Sequence, residues 1–195
     1  MEKNRKLILE DGSVYEGYGF GDDSERVLEL VFNTSMVGYQ EIISDPSYTD
    51  QAVVMTYPLI GNYGINEEDY ESQNPTIGGL VVREYNDDPS NFRSSHTLNE
   101  VMIKYEIVGI YGVDTRQITR KLRDKGSMKA MITDIEVNND EDFAKSVTNI
   151  IVSIPKLKEM AKQAKIIGNR NYSKERFIEI VKTEVISKFP QKRNI

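Results

Sequence analysis

The sequence contains no cysteine, no tryptophan and a single histidine, His96. Without cysteine, disulfides, thiolate metal sites and a cysteine nucleophile are excluded. With one histidine, a histidine-rich metal site is excluded too, and a Ser-His-Asp triad would have to run through His96. The chain therefore has few side chains that could serve as the base of a hydrolytic mechanism near neutral pH.

Long apolar runs are also missing. No stretch approaches the roughly 18 apolar residues that a membrane-spanning helix requires. The amino-terminal residues Met1–Arg5 are polar and lead directly into a strand-like segment, with no apolar signal-peptide region. We therefore predict a soluble, cytoplasmic protein with no membrane partner.

The net charge of −6 is unevenly spread along the chain. Residues 161–195 hold nine Lys or Arg and three Glu, a net charge of +6, which leaves −12 for the remainder. An acidic body argues against nucleic acid as the main partner. The basic segment is either a docking element or a solvated helix that offsets the acidic body.

Apolar periodicity predicts strands in the first half of the chain and helices interspersed later. The pair Asp11-Gly12 stands between two alternating runs and predicts a hairpin with a type I′ turn. Thr97 and Asp114 are predicted to cap two helices. The result is an α/β or α+β domain over residues 1–134, followed by a helical linker or tail over residues 135–195.

Four segments have a functional and a plain interpretation. Gly17–Gly21 lacks the spacing of a dinucleotide fingerprint and does not open a helix, so strand glycines are the better interpretation. Glu67–Asp69 and Asp87–Asp88 could seed a magnesium site, but solvated loop acids are the better interpretation. His96 lies in a polar loop, where a surface histidine is the default.

Three arginines, Arg116, Arg120 and Arg123, share one predicted helix. They could bind an anion or an acidic partner, or simply form the solvent-exposed face of the helix. The residues alone therefore indicate an α/β domain with no catalytic constellation, no metal site and no cofactor site.

Seven uncommon segments occur in order along the chain. They are Leu9–Gly12, Phe32–Met36, Gly38–Ile42, Asp45–Tyr48, Thr56–Pro58 with Ile60–Gly64, Ser90–Arg93, and Asp114–Arg116 with Thr119, Leu122, Arg123 and Lys125-Gly126. Together they resemble the amino-terminal domain of the small subunit of carbamoyl phosphate synthetase. The resemblance runs from about Leu7 to Asp134.

This resemblance implies a three-layer β/β/α domain of the swivelling type that docks on the large synthetase subunit. In the family a second domain, a class I glutamine amidotransferase with a Cys-His-Glu triad, releases ammonia from glutamine. The ammonia travels to the large subunit, where ATP, metal and bicarbonate are used to make carbamoyl phosphate for arginine and pyrimidine synthesis. No cofactor is expected on this chain itself.

The sequence departs from the family pattern where the amidotransferase domain should begin. No cysteine is available for the triad, so glutaminase activity is not expected from this chain alone. The chain is either an excised fragment or a naturally short protein. The resemblance implies that Ser47, in the turn Asp45–Tyr48, approaches glutamine, while the plain alternative is that Ser47 satisfies its own turn.

Our first functional hypothesis is a non-catalytic docking domain that supports delivery of glutamine-derived ammonia. The resemblance implies docking contacts at Arg116 and Arg120 and in the loops Asn33–Gln40 and Tyr57–Tyr63. The alternative is a stand-alone, truncated or repurposed binding module with no role in carbamoyl phosphate synthesis. A third hypothesis is an independent enzyme acting through Ser47 or His96.

Overall fold

The structure, a computed structural model, describes residues 3–134. Within this range one compact unit comprises the residues up to Ile8 together with Val14–Asp134, and the short segment Leu9–Ser13 is assigned to another unit. The predicted helical tail over residues 135–195 lies outside the described residues. The division of the chain at residue 134 therefore stays a prediction.

The described residues form nine strands and three α-helices. The strands are β1 (Arg5–Leu9), β2 (Val14–Gly21), β3 (Arg26–Asn33), β4 (Gln51–Met55), β5 (Leu59–Ile60), β6 (Gly79–Val81), β7 (Glu84–Tyr85), β8 (Val108–Tyr111) and β9 (Met128–Thr133). The helices are α1 (Tyr39–Ser44), α2 (Leu98–Lys104) and α3 (Thr115–Lys125), and a 3₁₀ turn spans Pro46–Tyr48. None of these helices has the length and apolarity needed to cross a membrane.

Seven strands form one closed sheet in the order β1-β2-β8-β6-β4-β3-β9. Its centre is parallel, because β3, β4, β6 and β8 pair in the same direction, whereas β1, β2 and β9 pair antiparallel to their neighbours. The mixed α/β class predicted from the sequence is thereby confirmed. The two remaining strands, β5 and β7, form a short parallel pair that periodicity did not predict, since each has only two residues.

The two longer helices begin where their capping residues stand in the sequence. Thr97 accepts a hydrogen bond from the backbone N–H of Glu100, whose side chain returns one to the Thr97 N–H, so the capping box is complete. Asp114 accepts from the backbone N–H of Gln117 at 2.9 Å at the start of α3, and Gly126 follows its last residue. Both helices were predicted correctly.

The turn between β1 and β2 differs from the predicted type. The Gly12 N–H donates to the Leu9 carbonyl, and the Leu9 N–H donates to the Ser13 carbonyl, each at 2.9 Å. A type I′ turn needs positive φ at two residues, but Gly12 has φ 82° and Asp11 does not have a positive φ. The carboxylate of Asp11 instead accepts from the Ser13 N–H at 3.0 Å, a contact that favours an Asx-stabilised turn.

The interior is apolar, and close approaches around it require glycine at a few positions. Residues such as Leu30, Ile43, Val53, Leu80 and Met102 are fully buried. A Cβ at Gly17 would lie 2.3 Å from the carbonyl oxygen of Tyr111 in the neighbouring strand β8, a distance that no side chain allows. The interpretation of Gly17 as a strand glycine fits this contact, since only a residue without Cβ lets β2 and β8 approach so closely.

One charged side chain, Arg5, is buried in β1 and joins distant parts of the fold. Its guanidinium contacts both carboxylate oxygens of Asp134, with Nε–Oδ1 at 2.5 Å and Nη2–Oδ2 at 2.7 Å. Its Nη1 donates to the carbonyls of Asp22 at 2.8 Å, Gly109 at 3.1 Å and Phe20 at 3.3 Å. The carbonyls belong to β2, β8 and the segment after β2, and Asp134 is the last described residue. Arg5 therefore connects the first strand to all of these parts of the fold.

Candidate docking surface

The loop after β3 presents two exposed apolar side chains. Asn33 ends the strand and its side-chain oxygen accepts from the Ser35 N–H at 2.7 Å. Gly38, with φ 81°, begins α1 in a conformation that other residues rarely adopt. Between these two fixed ends Met36 is 71% and Val37 is 79% exposed. The loop is thus anchored at both ends while its apolar centre faces outward.

A second loop, Tyr57–Tyr63, lies against the first through two tyrosine rings. The rings of Tyr39 and Tyr63 stack with their centroids 4.0 Å apart, and the Tyr63 hydroxyl accepts from the Tyr39 N–H at 2.8 Å. The Tyr39 hydroxyl donates to the Gly64 carbonyl at 2.8 Å. Burial and then the neighbouring Tyr63 raise the pKa of Tyr39, and burial raises the pKa of Tyr63, so both hydroxyls stay protonated.

A shallow apolar groove of about 90 Å³ lies between the two loops. Met36 and Val37 line it from the first loop, and Tyr57, Leu59 and Tyr63 line it from the second. It lies near the carboxyl ends of the parallel strands β3 and β4. Pockets for small-molecule ligands usually exceed about 300 Å³, so the groove suits a protein side chain better than a metabolite.

The groove and its rim, Met36, Val37, Tyr57, Leu59 and Tyr63, are called the docking surface below. Other exposed apolar residues of the described chain, such as Val14, Phe92 and Ile103, stand on different elements. Single exposed apolar residues are ordinary on protein surfaces, whereas larger contiguous apolar patches are typical of interaction sites. The two loops predicted to dock thus come together in one apolar surface.

Ser47 lies in the exposed 3₁₀ turn between α1 and β4. Its backbone N–H donates to the Asp45 carboxylate at 2.8 Å, and its backbone and side-chain hydrogen bonds lower the pKa of Asp45. The adjacent Tyr48 connects the turn to the loop after β3, because its hydroxyl oxygen accepts from the Asn33 side-chain amide at 3.1 Å. Ser47 does not line the groove. The predicted contact of Ser47 with glutamine stays a prediction.

Arg116 and Arg120 are exposed on α3, whose inward face carries the buried Ile118 and Leu122. Within residues 3–134 neither guanidinium has an ion-pair partner, whereas Arg123 lies 3.7 Å from the carboxylate of Asp124. Two unpaired cations one helical turn apart can accept an acidic partner. They do not line the groove, so an interface that includes them would be a second contact area.

His96 lies outside the docking surface, in a larger cavity of about 280 Å³. Glu67, Glu100 and Lys104 also line that cavity, and the His96 ring nitrogen Nδ1 is 3.1 Å from the Ser95 hydroxyl. Among the described residues no group of acids and histidines is arranged to hold a metal ion. Ser47 and His96 contact different neighbours and form no nucleophile–base pair.

Comparison with known proteins identifies the family. Residues 7–132 match the family described as carbamoyl-phosphate synthase small chain, CPSase domain. The chain belongs to the carbamoyl phosphate synthase small-chain family. The matched residues cover every strand and helix described above except for the ends of β1 and β9.

Two bacterial relatives illustrate how close the similarity is. The carbamoyl phosphate synthase small chain of Fusobacterium nucleatum is 61% identical over 141 residues, which are 72% of this chain and 39% of the relative. That of Staphylococcus saprophyticus is 57% identical over 145 residues, 74% of this chain and 40% of the relative. The chain therefore spans about two fifths of the length of the small chains that it matches.

The comparison with solved structures finds a weak likeness. An aminopeptidase from Aneurinibacillus sp. strain AM-1 matches 66% of this chain and 30% of its own, with a TM-score of 0.41 and 14% identity. A likeness at that level bears on neither the fold nor the function.

Proposed function

We propose that this chain acts as the amino-terminal docking domain of a glutamine-dependent carbamoyl phosphate synthetase. In this proposal the docking surface seats on the large synthetase subunit, and the cytoplasmic assembly delivers glutamine-derived ammonia to it for carbamoyl phosphate synthesis. The proposal includes the three-layer swivelling arrangement of the family. ATP and metal belong to the large subunit, and arginine and pyrimidine synthesis consume the product.

The observation that carries the proposal is the convergence of two loops on one exposed apolar groove. Met36 and Val37 are the outermost apolar residues of that groove, and both are more than two thirds exposed. Burying two such side chains stabilises a complex by about 1.5–3 kcal/mol each before ordering costs are counted. Membership of the small-chain family supports the large synthetase subunit as the partner in this proposal.

Chemistry supports a non-catalytic role for the chain itself. Class I amidotransferases attack glutamine with a thiolate, and this chain has no cysteine. In the proposal, an amidotransferase domain supplies the thiolate, and Ser47 approaches the bound glutamine from its exposed turn. Rigid docking matters because ammonia that leaves the assembly is protonated and loses its nucleophilic lone pair.

A calorimetric titration of the 195-residue chain with the large synthetase subunit tests the proposal. We expect saturable binding, and we expect carbamoyl phosphate synthesis by the complex to require ammonia and not to start with glutamine. Saturable binding together with ammonia dependence would describe a docking domain without glutaminase. An absence of binding at all workable concentrations would refute the proposal in favour of a stand-alone or repurposed binding module.

A further inference from the structure

The sulfur chemistry of this chain rests entirely on methionine, because cysteine is absent. Thioethers are oxidised by peroxides according to their exposure. Four methionines of the described chain are sealed in the interior, with Met55, Met102, Met128 and Met131 between 0% and 4% exposed. Met36 is 71% exposed. Among residues 3–134, an oxidant in solvent therefore reaches one thioether far more readily than the others.

We propose that Met36 is a site of reversible oxidation that keeps the free docking surface from binding its partner. In the reaction the Met36 sulfur attacks one oxygen of hydrogen peroxide, the O–O bond breaks and an S–O bond forms. The sulfur is oxidised by two electrons to the sulfoxide, and the peroxide is reduced to water. A methionine sulfoxide reductase reverses the change.

The position of Met36 explains why oxidation affects docking and leaves the fold intact. In the free chain the Met36 side chain is solvated, so the sulfoxide oxygen is hydrated and no packed contact of the interior is lost. Met36 lines the groove beside Val37, so docking at this surface would bury its side chain. Burying a strong acceptor without a donor carries a large desolvation cost, and the flexible apolar thioether that fitted the partner is gone.

The switch rests on the proposed function, since the docking surface is its target. It also implies protection in the assembled state, because a docked partner covers the Met36 sulfur. Oxidation thus acts on the free chain and prevents assembly, whereas the assembled complex resists it. The interior methionines act as the internal reference, since their oxidation requires unfolding.

The test treats the 195-residue chain with dilute hydrogen peroxide and maps oxidation by peptide mass spectrometry. We expect Met36 to be oxidised well before the four buried methionines, with an unchanged circular dichroism spectrum, and to be protected in the complex with the large subunit. The oxidised chain should bind the large subunit about tenfold more weakly or worse. Sulfoxide reductase should restore the affinity.

The variant Met36→Leu is the matched control, because leucine keeps an apolar side chain of similar volume that peroxide does not oxidise. Its affinity should be close to that of the untreated chain and should not change with peroxide, which also accounts for methionines outside residues 3–134. Equal oxidation of Met36 and the buried methionines, or unchanged binding by the Met36-oxidised chain, would overturn the switch. If the untreated chain does not bind, the proposed function fails and the switch with it, while the oxidation map still reports on Met36 selectivity.

Discussion

The buried guanidinium of Arg5 allows a quantitative prediction about stability. The substitution Arg5→Met keeps the apolar stem and removes the charge, so Asp134 loses its ion-pair partner and three backbone carbonyls lose the hydrogen bond from the guanidinium. Breaking a buried ion pair from one side costs about 3–5 kcal/mol. The Asp134 side chain is 38% exposed and regains water, so we take the lower end, about 3 kcal/mol.

Such a loss is large against the roughly 5–15 kcal/mol by which domains are stable. For a domain of this size, it corresponds to a fall of about 12 °C in Tm. Urea unfolding monitored by circular dichroism measures the loss in the free energy of unfolding directly. The matched control is Arg26→Met, because Arg26 is partly exposed and lies 3.4 Å from the exposed Glu106, a pair worth at most about 1 kcal/mol.

The double variant Arg5→Met with Asp134→Asn should cost less than the sum of the single changes. Removing both charges leaves no unpaired carboxylate. The double-mutant cycle therefore isolates the free-energy cost of leaving Asp134 unpaired. The reasoning is refuted if Arg5→Met loses no more stability than Arg26→Met. It is also refuted if the two changes in the double variant are simply additive.

Two further predictions concern pH and the α3 helix. A hydrogen bond from Ser127 is the main cause that lowers the pKa of Glu29 below its usual 4.5, so the folded state gains stability above that pH and loses it as the pH falls through the lowered pKa. Unfolding curves between neutral and acid pH should show a smaller loss for Glu29→Gln than for the unchanged chain. For α3, Arg116→Glu with Arg120→Glu should weaken binding to the large subunit about tenfold, while Arg123→Glu should have less effect because its guanidinium lies beside Asp124. Equal affinities of the double variant and the unchanged chain, measured by calorimetry, would remove α3 from the interface.

Local signals in the sequence predict most of the elements. The cap residues at Thr97 and Asp114, and the glycine at 126, define two helices by satisfying backbone groups within a few residues of themselves. The same local logic failed at the first turn, where the side chain of Asp11 bonds to the Ser13 N–H and a different turn type results. Asp-Gly pairs fit more than one turn, and the pair alone does not choose between them.

Contacts between distant residues could not be predicted from the sequence. The ion pair of Arg5 with Asp134 spans 129 positions, and nothing in the polar amino-terminal segment indicates that an arginine there is buried. The closed order of the sheet likewise depends on pairings such as β2 with β8, which have no local signature. Such features arise from tertiary packing, which overrides local preference.

The docking surface could be predicted from the sequence only in part. Family resemblance indicated the loops Asn33–Gln40 and Tyr57–Tyr63 as separate candidates. Their convergence depends on the stacking of Tyr39 on Tyr63 and on the parallel pairing of the strands that precede them, which brings their ends to one edge of the sheet. The residue types alone do not reveal that Met36 and Val37 are exposed, because a valine beside a methionine in this pattern could equally be buried.

The affinity of Val37→Glu for the large synthetase subunit, compared with that of Val14→Glu, tests the central claim most directly. Both valines are exposed, at 79% and 51%, but only Val37 belongs to the docking surface. We predict that Val37→Glu weakens binding about 30-fold, equivalent to about 2 kcal/mol, because docking would then have to bury a carboxylate in place of an apolar side chain. Val14→Glu should bind like the unchanged chain. Equal affinities of the two variants, with both folded, would contradict the assignment of this surface to docking.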